Sequence, residues 1–199
     1  IQQESVAVHN SVGIIDGSSL GKIEICGPDA VQFLEKFFTG KFSDQKVGEI
    51  RYALSIDESA VIADDGIISR VKDELFYLTI GTSNTAIVYR EMQRWLQMWQ
   101  LNVVLINVTG SYGIINVVGP KSVHVMSSLT QDALLSNLTA GKVGETTIDD
   151  ISVRIMCVTF VANIGYEIHV PADSMLAVWE KIIKAGTAYD IRPFGTWIS

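Results

Sequence analysis

The chain has 199 residues, a formal net charge of -7, and a composition of 48% hydrophobic and 19% charged residues. That balance belongs to a folded chain with one or two cores and not to a disordered one. The acidity, with no Lys/Arg-rich run, argues against nucleic acid and against an anionic membrane surface, and no apolar stretch approaches the ~20 residues of a membrane-crossing helix.

The N-terminal run IQQESVAVHN does not read as a secretory leader. Cys26 and Cys157 each sit in an apolar, strand-like run. Two buried free thiols in a reducing, cytoplasmic compartment are therefore expected. The histidines are scattered and share no ligand spacing with the cysteines, so no metal site is expected. No glycine-rich strand-to-helix turn marks a flavin or nicotinamide site.

In chain order, Ser11 to Ile15 is a short apolar run closed by Asp16, and Lys22 to Cys26 reads as a strand. Gly27-Pro28 then opens a helix, because proline at the first helical position loses no hydrogen bond. Tyr52, Leu54 and Ile56 alternate with smaller or polar residues, and Asp57-Glu58-Ser59 suits a hairpin turn. The returning strand then breaks its own rule with Asp64-Asp65-Gly66. Aspartate is depleted in strand interiors, and interior glycine marks a bulge or a close approach. A bulge or tight turn with solvated carboxylates is the plain reading, and a site is the other.

Leu75 to Ile80 is a further strand, and a helix follows with Ser83 or Asn84 as N-cap. Val88, Met92, Trp95 and Trp99 form one face of that helix, read as core. Leu101 to Val108 and Ser111 to Val118 are strands, Pro120 starts a helix to about residue 129, and Asp132 to Leu138 reads as another helical piece. Ile151 to Thr159 is a strand, and Gly165-Tyr166-Glu167 begins an alternating run. Glu167 by itself reads as a solvated glutamate at a strand edge. Met175, Val178, Trp179 and Ile182 mark a closing helix ended by Gly186. Trp95 and Trp179 are expected to be largely buried.

The stretch Ile115 to Ser122 echoes Ile23 to Ala30, since each is a strand, then Gly-Pro, then a helix. The fold class expected is α+β, in two related halves with helices on one face of each sheet, spanning residues 1–110 and 111–199.

These stretches resemble the aminomethyltransferase (glycine-cleavage T-protein) family, and more nearly the folate-binding part of the sarcosine oxidase α subunit and dimethylglycine dehydrogenase. Glu4, Ala7, Val8, Val12, Gly13, Asp16 and Ser18 carry one part of the likeness, Asp64-Asp65-Gly66 a second, and Phe160, Gly165, Tyr166 and Glu167 a third. The resemblance implies two folate-binding halves without the family's C-terminal barrel. It implies tetrahydrofolate-dependent one-carbon transfer with a methylated or aminomethyl donor, and a flavin only if another segment or subunit carries it. Other subunits of an oxidase, or a lipoyl carrier protein, are the implied partners.

By motif match Asp65 is the implied catalytic acid, and Glu167 the carboxylate that accepts two N–H bonds from the pterin. Tyr52 and Leu20 are implied to lie along the folate, and Ile80 and Thr82 to contribute contacts from a strand end. The chain also departs from the family. Val161-Ala162-Asn163 replaces its Thr-Gly-Glu, Ser136 to Glu145 lacks its aromatic residues, and the chain stops before an arginine-bearing helix. A second expectation follows from those departures, a non-catalytic relative serving as a binding or assembly module.

Overall fold

The computed structural model describes residues 2–130, 138–160 and 163–195. Its elements in order are α1 (Gln2–Asn10), β1 (Gly13–Asp16), β2 (Gly21–Cys26), α2 (Ala30–Phe37), β3 (Ile50–Ile56), β4 (Ile62–Lys72), β5 (Leu75–Ile80), α3 (Thr85–Trp99), β6 (Val104–Asn107), β7 (Tyr112–Val118), α4 (Ser122–Leu129), β8 (Lys142–Ile148), β9 (Ile151–Phe160), β10 (Asn163–Pro171), α5 (Met175–Gly186) and β11 (Arg192–Pro193). The helix expected from Asp132 lies outside the described residues up to position 137. α1 was not legible in the pattern, because its apolar residues keep no helical stripe.

The strands form a sheet of order β3-β4-β5-β2-β6 and a sheet of order β11-β1-β7-β10-β9-β8. The first sheet belongs to a unit spanning Ser19–Gly110, and the second to a unit made from the residues on both sides of it. One boundary between the units falls at 110/111, and the N-terminal segment does not stay with the residues that follow it. β1 pairs antiparallel with β7, from Gly13↔Val118 to Asp16↔Ile115, and its other edge takes β11 in parallel. Those ladder bonds draw residues up to Ser18 into the second unit.

The two units repeat one another beyond the Gly-Pro pair. β2 and β7 each end at a glycine with positive φ, 137° at Gly27 and 118° at Gly119. Left-handed backbone of this kind favours glycine. A Cβ on Gly119 would stand 2.5 Å from the Ser11 carbonyl oxygen, and one on Gly27 would fall on that of Asn102. The first helical turn then closes the same way in both, from Ala30 N–H to Gly27 O at 3.1 Å and from Ser122 N–H to Gly119 O at 3.0 Å.

The segments beside β1 and β6 match as well. The Ser18 amide donates to Asp16 Oδ1 at 2.8 Å and the Thr109 amide to Asn107 Oδ1 at 3.0 Å. Ser18 Oγ accepts from Ile114 N–H and Thr109 Oγ1 from Lys22 N–H, both at 3.0 Å. β1 thus fills in the second unit the place that β6 fills in the first.

Each sheet carries its helices on one face. In the first unit Ala30, Phe33 and Leu34 of α2 and Val88 and Met92 of α3 pack on Ile23, Ile25, Ile68, Phe76, Leu78 and Ile80. In the second, Val125 and Met126 of α4 and Val178 and Ile182 of α5 pack on Ile115, Val117, Ile155, Tyr166 and Ile168. The other face of each sheet is polar yet buried at its centre, with Lys22, Ser69, Tyr77 and Thr79 in the first unit and Asn116, Arg154, Glu167 and His169 in the second. Residues at i and i+2 share a strand face, so these polar positions alternate with the core ones.

Two expectations, on the tryptophans and on Cys26, are corrected here. Tyr52 and Ile56 share the face of β3 that points away from the core. They are 65% and 46% exposed, while Ala53 and Ser55 between them are buried. β3 is an edge strand whose helix-side face has room only for small residues. Trp95 and Trp179 are half-buried and not largely buried. Val88 and Met92 fill the core under α3, and Trp95 lies at its margin, stacked on Trp99 with ring centroids 5.2 Å apart. Both cysteines are free, Cys157 buried with its thiol pushed up by burial, but Cys26 is only half-buried.

Gly66 faces the first unit's core, and a Cβ there would stand 2.5 Å from Thr79 O and 2.7 Å from Ile80 Cγ2. Because backbone cannot move aside as a side-chain tip can, Gly66→Ala is expected to cost about 1–3 kcal/mol in urea unfolding. Trp179→Ala is expected to cost about 2 kcal/mol, below the ~3–5 kcal/mol of a fully buried aromatic. A wild-type midpoint for either variant would contradict the packing described.

Candidate functional site

The Asp64-Asp65 pair is set by the turn that precedes it. Asp57 Oδ1 accepts from the amides of Ser59 and Val61 at 2.8 and 2.9 Å, and Ala60 takes the left-handed conformation at φ 61°. The register then slips, with Ser55 opposite Asp64 but Ile56 opposite Ile62. Ala63 is the extra residue of a β-bulge, the device by which strands re-aim side chains near sites. Asn84 Nδ2 donates to Ala63 O at 3.0 Å. The expected N-cap residue of α3 thus stands at the cap position but spends its amide on the bulge, and makes no cap bond.

Beyond the bulge the pleat sends the two carboxylates to opposite faces. Asp65 lies on the polar face and is exposed. Tyr52 Oη donates to Asp65 Oδ2 at 2.5 Å, across the β3–β4 pairing. That bond raises the phenol's pKa above its ordinary value, with smaller upward contributions from desolvation and from the charges of Asp65 and Asp64.

Asp64 turns toward the helix side. Its Oδ1 accepts the Asp65 amide at 2.9 Å, and a Cβ on Gly81 would come within 3.0 Å of the same oxygen. Oδ2 is buried without a hydrogen-bond partner among the described residues. Burial pushes this carboxyl above its ordinary value and the Asp65 charge adds to the rise, while the Asp65 and Gly81 amides oppose it.

The other residues singled out around this site fall differently. Ile80 is a core residue under α3. Thr82 Oγ1 donates to Ser19 Oγ at 3.0 Å, tying the end of β5 to the turn before β2. Leu20 is half-buried in that turn.

Glu167 overturns the reading of a solvated edge residue. β10 is an interior strand, with β7 on one side and β9 on the other, and Glu167 faces Asn116 and Met156 across those ladders. The residue is 6% exposed. His169, wholly buried, lies two residues on and on the same face, with Nε2 at 2.8 Å from Glu167 Oε1. An ionised Glu167 accepts this bond, which puts the proton on Nε2. The pair fixes the carboxylate's rotamer and leaves Oε2 and the second lone pair of Oε1 for a ligand. His169 was missed by sequence reading, although its i+2 spacing from Glu167 on a strand was the available signal.

Tyr52 and Asp65 are therefore brought together in the first unit, and Glu167 and His169 in the second. Among the described residues no group of three His, Cys, Asp or Glu side chains is placed to hold a metal ion, and no helix is long and apolar enough to cross a membrane.

Residues 1–197 match the family model described as the GCVT N-terminal domain, and the chain belongs to that family. It is 35% identical over 201 residues to the sarcosine oxidase subunit alpha of Corynebacterium sp. (strain U-96), covering 98% of this chain and 21% of that protein. It is 26% identical to the aminomethyltransferase of Alkaliphilus metalliredigens (strain QYMF), covering 96% of this chain and 52% of that one. The chain thus spans between about a fifth and a half of the length of these relatives. Among solved structures, the glycine cleavage system aminomethyltransferase T from Bartonella henselae superposes with a TM-score of 0.86 at 22% identity, over 97% of this chain and 50% of that one. The fold is thus the α+β fold of that aminomethyltransferase, and among the described residues neither sheet closes into a barrel.

Asp64 makes stability depend on pH in a stated direction. Its folded-state pKa lies above the ordinary carboxylate value, so its contribution is present below that value and is lost as pH rises through the folded pKa. Asp64→Asn keeps the acceptor and removes the charge. The variant is expected to show a higher urea midpoint than wild type at pH 7, with the gap closing toward pH 3. A lower midpoint at pH 7 would show that the buried oxygen is satisfied after all.

Proposed function

We propose that this chain is the folate-binding part of a tetrahydrofolate-dependent one-carbon transferase, of the kind found in aminomethyltransferases and in the sarcosine oxidase α subunit. Membership of the GCVT N-terminal domain family supports the reading. The observation that carries it is the exposed Asp65 carboxylate with one oxygen held by Tyr52 Oη at 2.5 Å. One oxygen is fixed and the other is open, which suits an acid that must take or return a proton at a defined place.

The residues fit the ligand chemically. A pterin edge offers a ring N–H beside an exocyclic amine, and a carboxylate accepts both side by side. Glu167 is buried, its Oε1 is held by His169, and its second oxygen is left to accept from a donor, as such a partner requires. Tyr52 presents an exposed ring against which a flat heterocycle or its benzoyl group can lie. When bound, tetrahydrofolate supplies the nitrogen that takes up the one-carbon unit. Asp65 orients that nitrogen and handles its proton, and Tyr52 keeps Asp65 in place. The one-carbon unit comes from a methylated or aminomethyl donor, delivered by another subunit of an oxidase or by a lipoyl carrier protein.

Val161-Ala162-Asn163 in place of the family's Thr-Gly-Glu supports a second reading, in which the fold serves binding or assembly without turnover. Titration with tetrahydrofolate, on the polypeptide in its full natural length, separates the two. Glu167→Gln is expected to weaken binding, since it removes an interaction made in ground and transition states alike. Asp65→Asn is expected to leave binding nearly intact and to lower transfer by ~10²–10⁴-fold. Absence of folate binding, or two silent substitutions, would leave the second reading standing.

A further inference from the structure

A cavity of about 540 Å³ in the second unit is lined by Val6, Ala7, Asn10, Ser11, Lys121, Asp190 and Arg192. In a chain of formal net charge -7 its lining is unusual. Two cations and one carboxylate face it, which leaves one net positive charge. Lys121 makes no ion pair among the described residues. Arg192 gives Nη2 to Asp190, at 3.1 and 3.4 Å to the two carboxylate oxygens, and among the described residues the rest of its planar fork has no partner. Ser11 Oγ is already committed to the Tyr189 carbonyl. Val6 and Ala7 of α1 supply an apolar wall.

The internal repeat shows what occupies this position when the chain fills it itself. Lys121 follows Gly119-Pro120 as Asp29 follows Gly27-Pro28, and Ser11 corresponds to Asn102 through the glycine corners. In the first unit the Asp29 carboxylate lies in this notch, with Oδ2 accepting the Asn102 amide at 2.8 Å. In the second unit the equivalent residue is a lysine. The equivalent amide, of Ser11, donates instead to Ala7 O at 2.8 Å. The internal carboxylate is gone, and a cation stands at the mouth of a cavity.

We propose that this cavity binds a small organic monocarboxylate, with the carboxylate between Lys121 Nζ and Arg192 and an apolar tail along Val6 and Ala7. The net charge of the lining selects a monoanion over a dianion and excludes a cation. The apolar wall selects an alkyl carboxylate over a bare inorganic anion.

The test is ligand-observed NMR titration of the full chain with butyrate, inorganic phosphate and butylammonium. Butyrate is expected to bind saturably, phosphate more weakly, and butylammonium not at all. Lys121→Gln is expected to weaken butyrate about tenfold, the loss of one charge-assisted bond, while Lys121→Arg retains it. Lys121 is exposed, so both variants are expected to unfold at the wild-type temperature. Three results would overturn the proposal: no saturable butyrate binding, equal affinity for butyrate in wild type and Lys121→Gln, or phosphate binding as tightly as butyrate.

Discussion

The structure depends on one backbone device used twice, a positive-φ glycine at the end of a strand pressed against a carbonyl just ahead of the neighbouring strand. Gly27 and Gly119 stand where the chain turns from strand toward helix, and at both a side chain would strike backbone. The corner therefore joins three elements at once: the strand it ends, the helix that follows and the segment leading into the neighbouring strand. Proline one residue later fixes φ where the helix begins. Each sheet is complete only when β6 or β1 is in place beside the strand that ends at the glycine. β6 reaches the first unit after α3, and β1 reaches the second from the N-terminus. A cut at residue 111 would strip the second sheet of β1 and, with it, of the β11 strand that pairs only there.

Placing helices on one face of each sheet decides where chemistry can reside. That face is filled at its centre by aliphatic and aromatic side chains, with Ser55 and Asp64 toward the margin of the first unit. The opposite face carries the ionisable residues, Asp65 with Tyr52 in the first unit and Glu167 with His169 in the second. Strand alternation allows both jobs in one element, since each strand needs only every second residue for its core. β10 shows this clearly, with Tyr166, Ile168 and Val170 in the core and Gly165, Glu167 and His169 on the other side.

Much of this was legible in the residues, and the failures have physical causes. Strand ends and Gly-Pro corners announced themselves through local chemistry. The bulge before Asp64 was foreshadowed by acids and a glycine where a strand resists them. Alternation told which residues of β3 share a face, but it gives only relative phase, and the structure puts Ala53 on the core side with Tyr52 and Ile56 exposed. Trp95 and Trp179 were overrated because helical spacing defines a stripe and not how far the sheet extends beneath it. β1 joined the far unit through ladder pairing, which has no local signature. Glu167 looked solvated because a glutamate beside a glycine is usually so, and only the strand order made it interior.

Two adjacent aspartates end in different environments, and the pleat alone separates them. Asp64 and Asp65 share the bulge, the strand and a mutual repulsion that adds to the rise at Asp64. Asp64 faces the start of α3, loses water on one oxygen and spends the other on the next amide. Asp65 faces the polar side, stays exposed, and meets a phenol that donates to it. The two neighbouring carboxylates thus divide, one set against the helix side and one open to solvent beside a phenol. From Asp64 onward the register with β3 is unbroken, so the pleat holds Asp64 on the helix side with Gly66 and Asp65 on the polar face beside Tyr52, while Ala63 takes up the slip ahead of them.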